Sequence, residues 1–475
     1  MITIRRLVPG IAILFLLAGC ATVSAKTDFS GVQKTVASRT EARVHWNQGG
    51  PEDAAVAQAI ESTLGKELTV EAAVQLALLN NRTLQATFEE LGIAQADLVQ
   101  AGLLKNPVFA GHVRFSDQSG QGTNTEFSVS QDFMELFARS LRKKVAAAQL
   151  ESVQFRVSDA VLKLSAEVRL AYYALQGAEH SQKSFETIVQ AAQAAVDLAE
   201  RQHTAGNSND LEFAGEQAAF QQANLDLIRS QAELLSARER LNRLIGLTEN
   251  PSWTISEIVP AMPSREPSGE TLEQQALSQR LDLLAARNDV HASEQVVDLA
   301  RRGAWPAVNI GVDTERDPDG TRVTGPSWEA ELPVFDQKQT PVARAQAQLR
   351  QNQNRVAALE TQIRSEVRAS LNHVQVSRQL IDRYRDEMIP LREKIVAETQ
   401  KHYNFMLKGA FQLLQAKRDE LNAYREYMNA LQDYWQARTD LERAVGGRLP
   451  VSESSPIPMA HPAEPKQEAA HHHHH

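Results

Sequence analysis

The sequence predicts a mainly α-helical fold with a small β part, in which a strand pair followed by a long helical hairpin occurs twice. Two observations support this prediction. Residues 67–247 and 271–446 repeat one pattern at low similarity, and long spans in both copies contain hardly any proline or glycine. A repeat of this size indicates that one supersecondary unit was copied and that the copies pack as equivalents.

The two copies match at both ends. Near the start, one set of residues recurs at an offset of 199: Ala77, Leu78, Leu84 and Pro107 correspond to Ala276, Leu277, Leu283 and Pro306. Near the end, an L-x-R-x-x-G signature recurs at an offset of 200: Leu241, Arg243 and Gly246 correspond to Leu441, Arg443 and Gly446. We therefore expect the same order of elements in both copies.

The N-terminus has the pattern of a cleaved export signal. In residues 1–19, Arg5 and Arg6 precede an apolar run that is too short to cross about 30 Å of hydrocarbon. The L-A-G-C motif that ends at Cys20 is the lipobox pattern of bacterial lipoproteins, so we expect Cys20 to be diacylated and to become the mature N-terminus. An ordinary signal peptide with an incidental cysteine is the alternative. Cys20 is the only cysteine, so the chain cannot form an internal disulfide.

Composition and motifs argue against several function classes. The formal net charge is −9, the pI is near 5.9 and no basic run stands out, which argues against a nucleic-acid partner. The sequence has no G-x-S-x-G, H-E-x-x-H, C-x-x-C or P-loop motif, and its acids are scattered over amphipathic helices. We therefore predict that the protein is not an enzyme and has no cofactor apart from the lipid on Cys20.

Three segments lie outside the copies. Residues 20–66 show little periodicity and contain Gly50 and Pro51, which predicts an extended, lipidated N-terminal tether; a small separate domain is the alternative. Residues 248–270 are proline-rich and link the copies. Residues 447–475 have the composition of a disordered tail.

Each copy starts with an amphipathic helix and a strand pair. In the first copy, the apolar spacing from Leu68 predicts one helix, capped by Thr69, that ends before Asn106. Alternating residues predict strands in both copies, at Val108–Ser116 and Thr125–Phe133 and then at Ala307–Asp317 and Trp328–Phe335.

A long helical hairpin follows each strand pair. The predicted helices are Ser140–His203 and Leu211–Arg243 in the first copy, and Ala343–Tyr403 and Phe411–Ala444 in the second. The first of these would span roughly 96 Å if straight, which no compact globular domain needs. Pro390 should kink its helix unless a helix begins there and places Pro390 in its first turn. A soluble helical bundle is the alternative, but it leaves the strand pairs unexplained.

Taken together, these features resemble the TolC-type outer-membrane efflux proteins. The resemblance rests on the lipobox, the duplicated strand pair and hairpin, the segment Leu332–Asp336 and the L-x-R-x-x-G helix ends. It implies a homotrimer in which each chain donates four strands to one 12-stranded outer-membrane β-barrel, continued by a periplasmic α-helical barrel. It also implies an exit duct that works with a periplasmic adaptor (membrane fusion protein) and an inner-membrane pump. Ala21 follows Cys20 where inner-membrane lipoproteins have a retaining aspartate, which also points to the outer membrane.

The resemblance further implies site residues at the two helix tips. Six tip residues would dock the adaptor: Ala205, Gly206, Asn207, Leu407, Lys408 and Gly409. Three residues would hold the aperture shut, namely Tyr403, Lys408 and Glu212, although a solvated helix face is the alternative for all three. Met406 stands where the family commonly has glycine, Lys408 replaces the usual arginine, and Gln415 stands where a constricting aspartate often lies. We therefore predict a weaker or differently gated constriction.

The sequence leaves the exported substrate open between metal ions and other small molecules such as drugs. The chain ends in five histidines with the chemistry to bind Cu, Ni or Zn: His471, His472, His473, His474 and His475. A purification tag is the alternative explanation for them. The second tip resembles outer-membrane components of heavy-metal and copper export. Two other function classes are a periplasmic adaptor or scaffold lipoprotein, with a further domain between the halves of one hairpin, and a metal-sequestering lipoprotein.

Overall fold

The computed structural model describes residues 26–115, 122–248, 253–302 and 308–449. The N-terminal segment and the first copy contain α1 (Lys26–Thr40), α2 (Pro51–Leu64), α3 (Val70–Asn80), α4 (Arg82–Ala101), β1 (Val108–Arg114), β2 (Asn124–Asp132), α5 (Glu135–Thr204) and α6 (Asp210–Ile245). The second copy contains α7 (Gly269–Gln279), α8 (Leu281–Arg302), β3 (Val308–Arg316), β4 (Arg322–Ala330), α9 (Gln339–Arg383), a π-helical turn (Tyr384–Met388), α10 (Ile389–Asn404) and α11 (Ala410–Val445). The element order of the first copy thus recurs in the second, as the repeat predicts.

The chain forms two compact units, and each unit takes residues from both copies. The strand unit comprises the described residues within Met1–Lys34, Thr87–Ser158 and Leu281–Leu359. The hairpin unit comprises the described residues within Thr35–Ala86, Asp159–Arg280 and Glu360–His475. The described strands belong to the strand unit, and both hairpin tips belong to the hairpin unit.

The strand unit contains one antiparallel sheet with the strand order β1-β2-β3-β4. Its register aligns Phe109, Val129, Val312 and Pro326 across the four strands. Pro326 has no N–H to donate, and it is tolerated because β4 is an edge strand. The turn between β3 and β4 contains Gly320 at φ 92°, a left-handed conformation that glycine adopts without strain.

The register gives the sheet one apolar and one polar face, because neighbouring residues of a strand point to opposite sides. The apolar face holds large side chains that are 44–78% exposed: Phe109, Val113, Phe127, Val129, Ile310, Val312 and Trp328. The polar face holds carboxylates on three strands: Glu126, Asp132, Asp313, Glu315 and Glu329. The basic residues of this face are His112 and Arg114, and Arg114 donates to Glu126 at 3.0 Å. One face therefore suits an apolar environment and the other suits water.

The predicted bounds of the first three strands agree with the structure to within two residues, but those of the fourth are wrong. The fourth strand, β4, spans Arg322–Ala330 and not Trp328–Phe335. The preceding turn closes with a hydrogen bond from Asp317 N–H, so pairing resumes immediately after it. The prediction started too late because Pro326 weakens the strand pattern of the sequence. It ended too late because the apolar residues after Ala330 have a strand-like pattern but do not pair with β3.

The predicted first helix is two helices, α3 and α4, because Asn81 interrupts it. Thr69 caps α3 as predicted, since its Oγ1 accepts the N–H of Ala72 at 3.2 Å. Asn81 has an extended backbone at φ −66° and ψ 116°, and its side-chain oxygen accepts the N–H of Leu84 at 2.9 Å. Asn81 thus ends one helix and caps the next. The second copy breaks in the same way at Arg280, between α7 and α8.

The extended tether predicted for residues 20–66 is wrong for the described part of that segment, which contains α1 and α2. Phe29, Val32 and Val36 follow helical spacing, and each is at most 8% exposed. Pro51, which the sequence analysis took as a sign of an extended tether, lies in the first turn of α2, where a missing N–H costs no hydrogen bond. The apolar triplet in α1 was the signal for structure in this segment.

Both predicted hairpins are present, and Pro390 is accommodated in the second. Pro390 lies in the first turn of α10, directly after the π-helical turn. The N–H of Ile389 donates to Tyr384 O, five residues back, and this wider turn precedes a proline that cannot donate itself. Of the two outcomes predicted for Pro390, the helix start is confirmed.

Two arginines at equivalent positions of the two copies bind the linker that joins the copies. Both arginines belong to the hairpin unit. Arg238 of α6 donates to Trp253 O at 2.7 Å, and its guanidinium lies 4.3 Å from the centroid of the Trp253 ring. Arg438 of α11 is 1% exposed and donates to the carboxylate of Glu266 at 2.5 Å. Tyr434 donates to the same carboxylate at 2.6 Å. The described part of the linker, residues 253–270, is therefore packed into the hairpin unit.

Candidate functional site

The two hairpin tips have the same backbone conformation. Where α5 turns into α6, Gly206 is left-handed at φ 73°, and its N–H donates to His203 O at 2.9 Å. Where α10 turns into α11, Met406 is left-handed at φ 58°, and its N–H donates to Tyr403 O at 2.9 Å. Met406 therefore builds the same turn as the glycine, which satisfies the last carbonyls of the helix in both hairpins.

This shared turn is strained only at the second tip. A left-handed conformation costs a residue with a side chain roughly 1–2 kcal/mol, and it costs glycine almost nothing. Met406 is 94% exposed, so its packing within the chain does not offset the strain. A strained residue that exposes a large apolar side chain points to a functional contact at this tip.

The helices that leave the tips begin with capping contacts, which are reciprocal at the first tip and one-way at the second. The side chain of Asn209 accepts the N–H of Glu212 at 2.9 Å, and the Glu212 carboxylate accepts the N–H of Asn209 at 3.4 Å. At the second tip, Gly409 takes the place of Asn209, and Gln412 Oε1 accepts its N–H at 2.6 Å. Glu212, a predicted gate residue, thus has a local role in starting α6.

The three predicted gate residues lie at the tips but do not bind one another within the chain. Tyr403 is near the end of α10 and is 42% exposed, and Lys408 is exposed just before α11. Glu212 is the capping residue of α6. In the described ranges, no hydrogen bond or ion pair joins any two of these side chains. The gate assignment stays a prediction.

A polar network beside the tips joins three helices, and sequence reasoning missed most of it. Arg392 of α10 binds Asp419 of α11 at 2.9 Å. Gln415 donates to Asp419 at 2.9 Å and accepts from Arg418 at 2.6 Å. Arg418 lies 3.9 Å from Glu216 of α6. Only the spacings of three and four that join Gln415 to Arg418 and Asp419 within α11 were visible in the sequence, because the other helices contribute partners that are distant along the chain.

The two tips expose different surfaces. At the second tip, the adjacent residues Phe405, Met406 and Leu407 are 76%, 94% and 69% exposed. At the first tip, residues 205–207 are exposed but small or polar, and Leu211 at the start of α6 is 82% exposed. All six predicted docking residues are exposed. The second tip is therefore the more apolar of the two.

Several predicted features lie outside the described residues. These are the signal peptide at residues 1–19, the lipidation site Cys20, and the histidines His471–His475. Within the described ranges, no three His, Cys, Asp or Glu residues are grouped so that they would hold a metal ion. Among the helices of those ranges, none combines the length and the apolarity that a membrane-crossing helix requires.

Comparison with known proteins places the chain in a family. The sequence pattern of the family described as outer membrane efflux protein matches residues 73–247 and 272–447. The cobalt-zinc-cadmium resistance protein CzcC of Cupriavidus metallidurans is 24% identical over 329 residues, which cover 69% of this chain and 78% of CzcC. The nickel-cobalt-cadmium resistance protein NccC of Alcaligenes xylosoxydans xylosoxydans is 23% identical over 308 residues, which cover 63% of this chain and 69% of NccC.

Solved structures share the fold. The crystal structure of CusC has a TM-score of 0.67 at 16% identity and covers 80% of this chain and 92% of CusC. The outer membrane channel CmeC of Campylobacter jejuni has a TM-score of 0.66 at 17% identity and covers 81% of this chain and 87% of CmeC. These comparisons confirm the predicted fold class, a mainly α-helical fold with a small antiparallel sheet. Since the family pattern matches twice, once on each copy of the repeat, the chain belongs to the outer membrane efflux protein family, whose members are efflux channels and not enzymes.

Proposed function

We propose that this chain forms, as a homotrimer, the outer-membrane exit duct of a tripartite efflux system that exports divalent transition-metal cations. The sheet is the main support, because it has one apolar face, one polar face and two unpaired edges. In lipid, every backbone N–H and C=O needs a partner, so an open sheet edge is unstable there. Strands β2, β3 and β4 have nine residues each, which is long enough to span. Three chains supply twelve strands and pair β1 of one chain with β4 of the next.

Two exposed apolar stripes in the hairpin unit support self-association. On α6, Leu225, Ile228 and Leu235 are 50–61% exposed. On α9 and α10, apolar residues that are 38–53% exposed follow helical spacing across the π-helical turn: Val376, Leu380, Met388, Leu391 and Ile395. Contiguous apolar surface of this kind marks an interaction site. Each chain brings both stripes, so a closed ring of copies covers all of them.

The tips are the proposed docking site for the periplasmic adaptor, and an inner-membrane pump supplies the energy. The exposed apolar residues 405–407 support this assignment. The alternative that the chain is itself an adaptor conflicts with the hairpins, because only residues 205–209 and 405–409 separate their halves, which leaves no room for an inserted domain.

A charge reversal at Lys408 tests the gate assignment. Lys408→Glu is expected to favour opening of the aperture and to raise antibiotic permeability. Unchanged permeability would contradict the gate assignment.

Two observations support metal cations as the exported substrate. The relatives CzcC and NccC are named for resistance to cobalt, zinc, cadmium and nickel. The polar face of the sheet carries carboxylates on β2, β3 and β4, against the basic residues His112 and Arg114 on β1. A lumen lined by that face would have a negative potential, which attracts cations and raises their local concentration.

We further propose that Cys20 is lipidated and anchors the N-terminus in the outer membrane, on the strength of its L-A-G-C motif. Intact-mass measurement of the extracted protein should give a chain that begins at Cys20 and carries a diacylglycerol and an acyl chain. Cys20→Ser should lose that added mass, and an unmodified wild-type chain would contradict the proposal.

Deletion of His471–His475 tests whether the histidine tail takes part in export. Lost metal resistance assigns the tail a role, and unchanged resistance excludes one.

The mass of the detergent-extracted particle tests the assembly. A duct requires three chains, whereas a metal-sequestering lipoprotein requires one. Ile228→Asp places a charge in the α6 stripe and should shift the particle towards single chains. Leu211→Asp makes the same change at an exposed leucine outside the stripe, so it should leave three chains. A trimer that tolerates Ile228→Asp as well as Leu211→Asp would rule out the stripe as an interface.

Growth of a deletion strain tests the substrate. The strain is grown with and without the restored gene on cobalt, zinc, cadmium, nickel, copper and silver, and on a panel of lipophilic drugs and detergents. We expect metal sensitivity that the wild-type gene reverses. Sensitivity to drugs alone would identify a general efflux duct and overturn the metal assignment.

A further inference from the structure

The first copy caps the end of its last helix with its own side chains. Asn80 Nδ2 donates to Ile245 O at 3.0 Å and to Gly246 O at 2.9 Å. Asn81 Nδ2 donates to Leu244 O at 2.9 Å. These amides satisfy carbonyls that the C-terminus of α6 leaves without an intrahelical partner.

The second copy has neither asparagine. Gln279 and Arg280 stand at the equivalent positions, 199 residues further along the chain. The side-chain oxygen of Gln279 accepts from Gln275 within α7 at 3.2 Å, and the Arg280 guanidinium binds Glu366 of α9. The C-terminus of α11 nevertheless has the same left-handed glycine, Gly446, and the same carbonyls to satisfy.

Arg39 of α1 donates to the end of α11. Its Nη1 lies 2.7 Å from Gly446 O and 2.7 Å from Gln279 O. Gly446 O is the counterpart of Gly246 O, so the guanidinium takes the role that the Asn80 amide has in the first copy. Helices α7 and α11 both end here, and a cation is favoured where helix C-termini concentrate partial negative charge.

The residues that follow α1 bind the first copy. Gln75 of α3 accepts the N–H of Arg43 at 3.0 Å and donates to Arg43 O at 2.9 Å. Gln85 of α4 donates to His45 O at 2.9 Å and accepts the N–H of Asn47 at 2.9 Å. Each of the two glutamine amides thus donates to one backbone carbonyl and accepts one backbone N–H of this segment.

We propose that residues 35–47 are a clasp that joins the two copies of the repeat, in which Arg39 caps the end of α11 at the carbonyl equivalent to the one that Asn80 caps in the first copy. The clasp is also anchored by apolar burial, since Val36, Val44 and Trp46 are 0%, 6% and 7% exposed. Residues 35–47 are therefore a structural element of the hairpin unit and not only a connection to the lipid anchor.

Arg39→Ala in the full-length, detergent-extracted protein tests the clasp. We expect a lower melting temperature and about tenfold faster proteolytic cleavage within residues 26–48, because charged hydrogen bonds to two helix ends are lost. Arg43→Ala is the matched control: it removes the same charge from an exposed side chain, while Gln75 binds the backbone of that residue. The control should behave as wild type.

Gln279→Asn distinguishes the effect of the lost helix cap on stability from the effect of the detached clasp on cleavage. In the Arg39→Ala background, the shorter amide should reach Gly446 O as Asn80 reaches Gly246 O, and it should restore most of the melting temperature. Cleavage within residues 26–48 should stay fast, because the clasp remains detached. Wild-type cleavage of Arg39→Ala, or a double variant no more heat-stable than Arg39→Ala, would overturn the proposal.

A graded series covers the case in which Arg39→Ala fails to fold. Arg39→Lys keeps a cationic donor and Arg39→Gln keeps a neutral one, so cleavage should rise from wild type through Arg39→Lys to Arg39→Gln. Equal cleavage of all three proteins would also overturn the proposal.

Discussion

The two copies share their backbone but not their chemistry. Both tips use one left-handed turn, and both last helices end at a left-handed glycine, Gly246 at φ 82° and Gly446 at φ 86°. In the last turns of these helices the first copy has the neutral amide of Asn242, and the second has the carboxyl of Glu442 at the equivalent position. Backbone sterics fix a turn, whereas many side chains can satisfy the groups around it. Duplicated halves can therefore diverge in chemistry without a change of fold.

The second copy depends more on buried charge. Arg438 and Glu266 form an ion pair in which the side chains are 1% and 8% exposed. In the first copy, the equivalent Arg238 is only partly buried, and its partner is the neutral Trp253. Removal of one partner leaves an uncompensated charge in the second copy, but at the first copy water can replace much of the contact. The two copies should thus respond differently to equivalent substitutions.

Arg438→Met should have the largest effect, a loss of about 3–5 kcal/mol of unfolding free energy, because Glu266 would be left as a buried carboxylate without its closest cation. Arg238→Met, the equivalent change in the first copy, should cost about 1 kcal/mol. Urea midpoints followed by circular dichroism compare the two. Adding Glu266→Gln to Arg438→Met should recover part of the loss. Equal costs for the two arginines would show that buried charge does not distinguish the copies.

The tips allow a smaller and reciprocal test. Met406→Gly should stabilise the second turn by about 1 kcal/mol, because glycine adopts the left-handed conformation without strain. Gly206→Met should destabilise the first turn by a similar amount; a Cβ at Gly206 meets no atom within 4 Å, so backbone strain is its main cost. Rates of proteolytic cleavage at each tip report both changes. If the cleavage rates of the two variants do not change in opposite directions, backbone strain does not cause the difference in stability between the two tip turns.

The same pair of variants separates stability from docking. If exposed Met406 contacts the adaptor, Met406→Gly should weaken complementation of a deletion strain on metal-containing medium although its turn is more stable. Gly206→Met should leave complementation largely intact. Full complementation by Met406→Gly would remove the reason for keeping a strained methionine at the second tip.

Local patterns in the sequence predicted much of the fold. Strand alternation, helical spacing, the Thr69 cap and the first-turn position of Pro390 each depend on residues within a few positions of one another. The break at Asn81 was missed because the apolar stripe continues through it on both sides. Helix α1 was missed because its apolar residues are few and because Gly50 and Pro51, further along the segment, suggested an extended tether.

Contacts between distant residues could not be predicted in this way. Arg438 and Glu266 are 172 positions apart, and Arg39 and Gly446 are 407 apart. No spacing rule relates such positions in one sequence, since their pairing follows from how the two copies pack. The predicted gate residues came from a resemblance, and in the described ranges Glu212 serves as a helix cap, so the gate assignment stays a prediction.

Glu442 should cause the smallest difference between the copies. That difference is a dependence of the unfolding free energy on pH. Burial raises the pKa of Glu442 above its ordinary 4.5, against the lowering effect of Arg169 and Arg438. The equivalent Asn242 does not titrate. A carboxyl whose pKa is higher in the folded state favours folding at low pH, so this stabilisation is lost as the pH rises from 4.5 through the folded-state pKa.

Glu442→Gln makes the second copy resemble the first and should remove this pH dependence. The amide keeps an acceptor for the N–H of Leu449, which lies 3.3 Å from the carboxylate. Urea midpoints of wild type and variant, measured between about pH 4 and pH 8, should diverge in favour of the variant as the pH rises. Parallel curves would mean that the buried carboxyl ionises without cost beside its arginines. The second copy would then tolerate charge at this position as well as the first tolerates an amide.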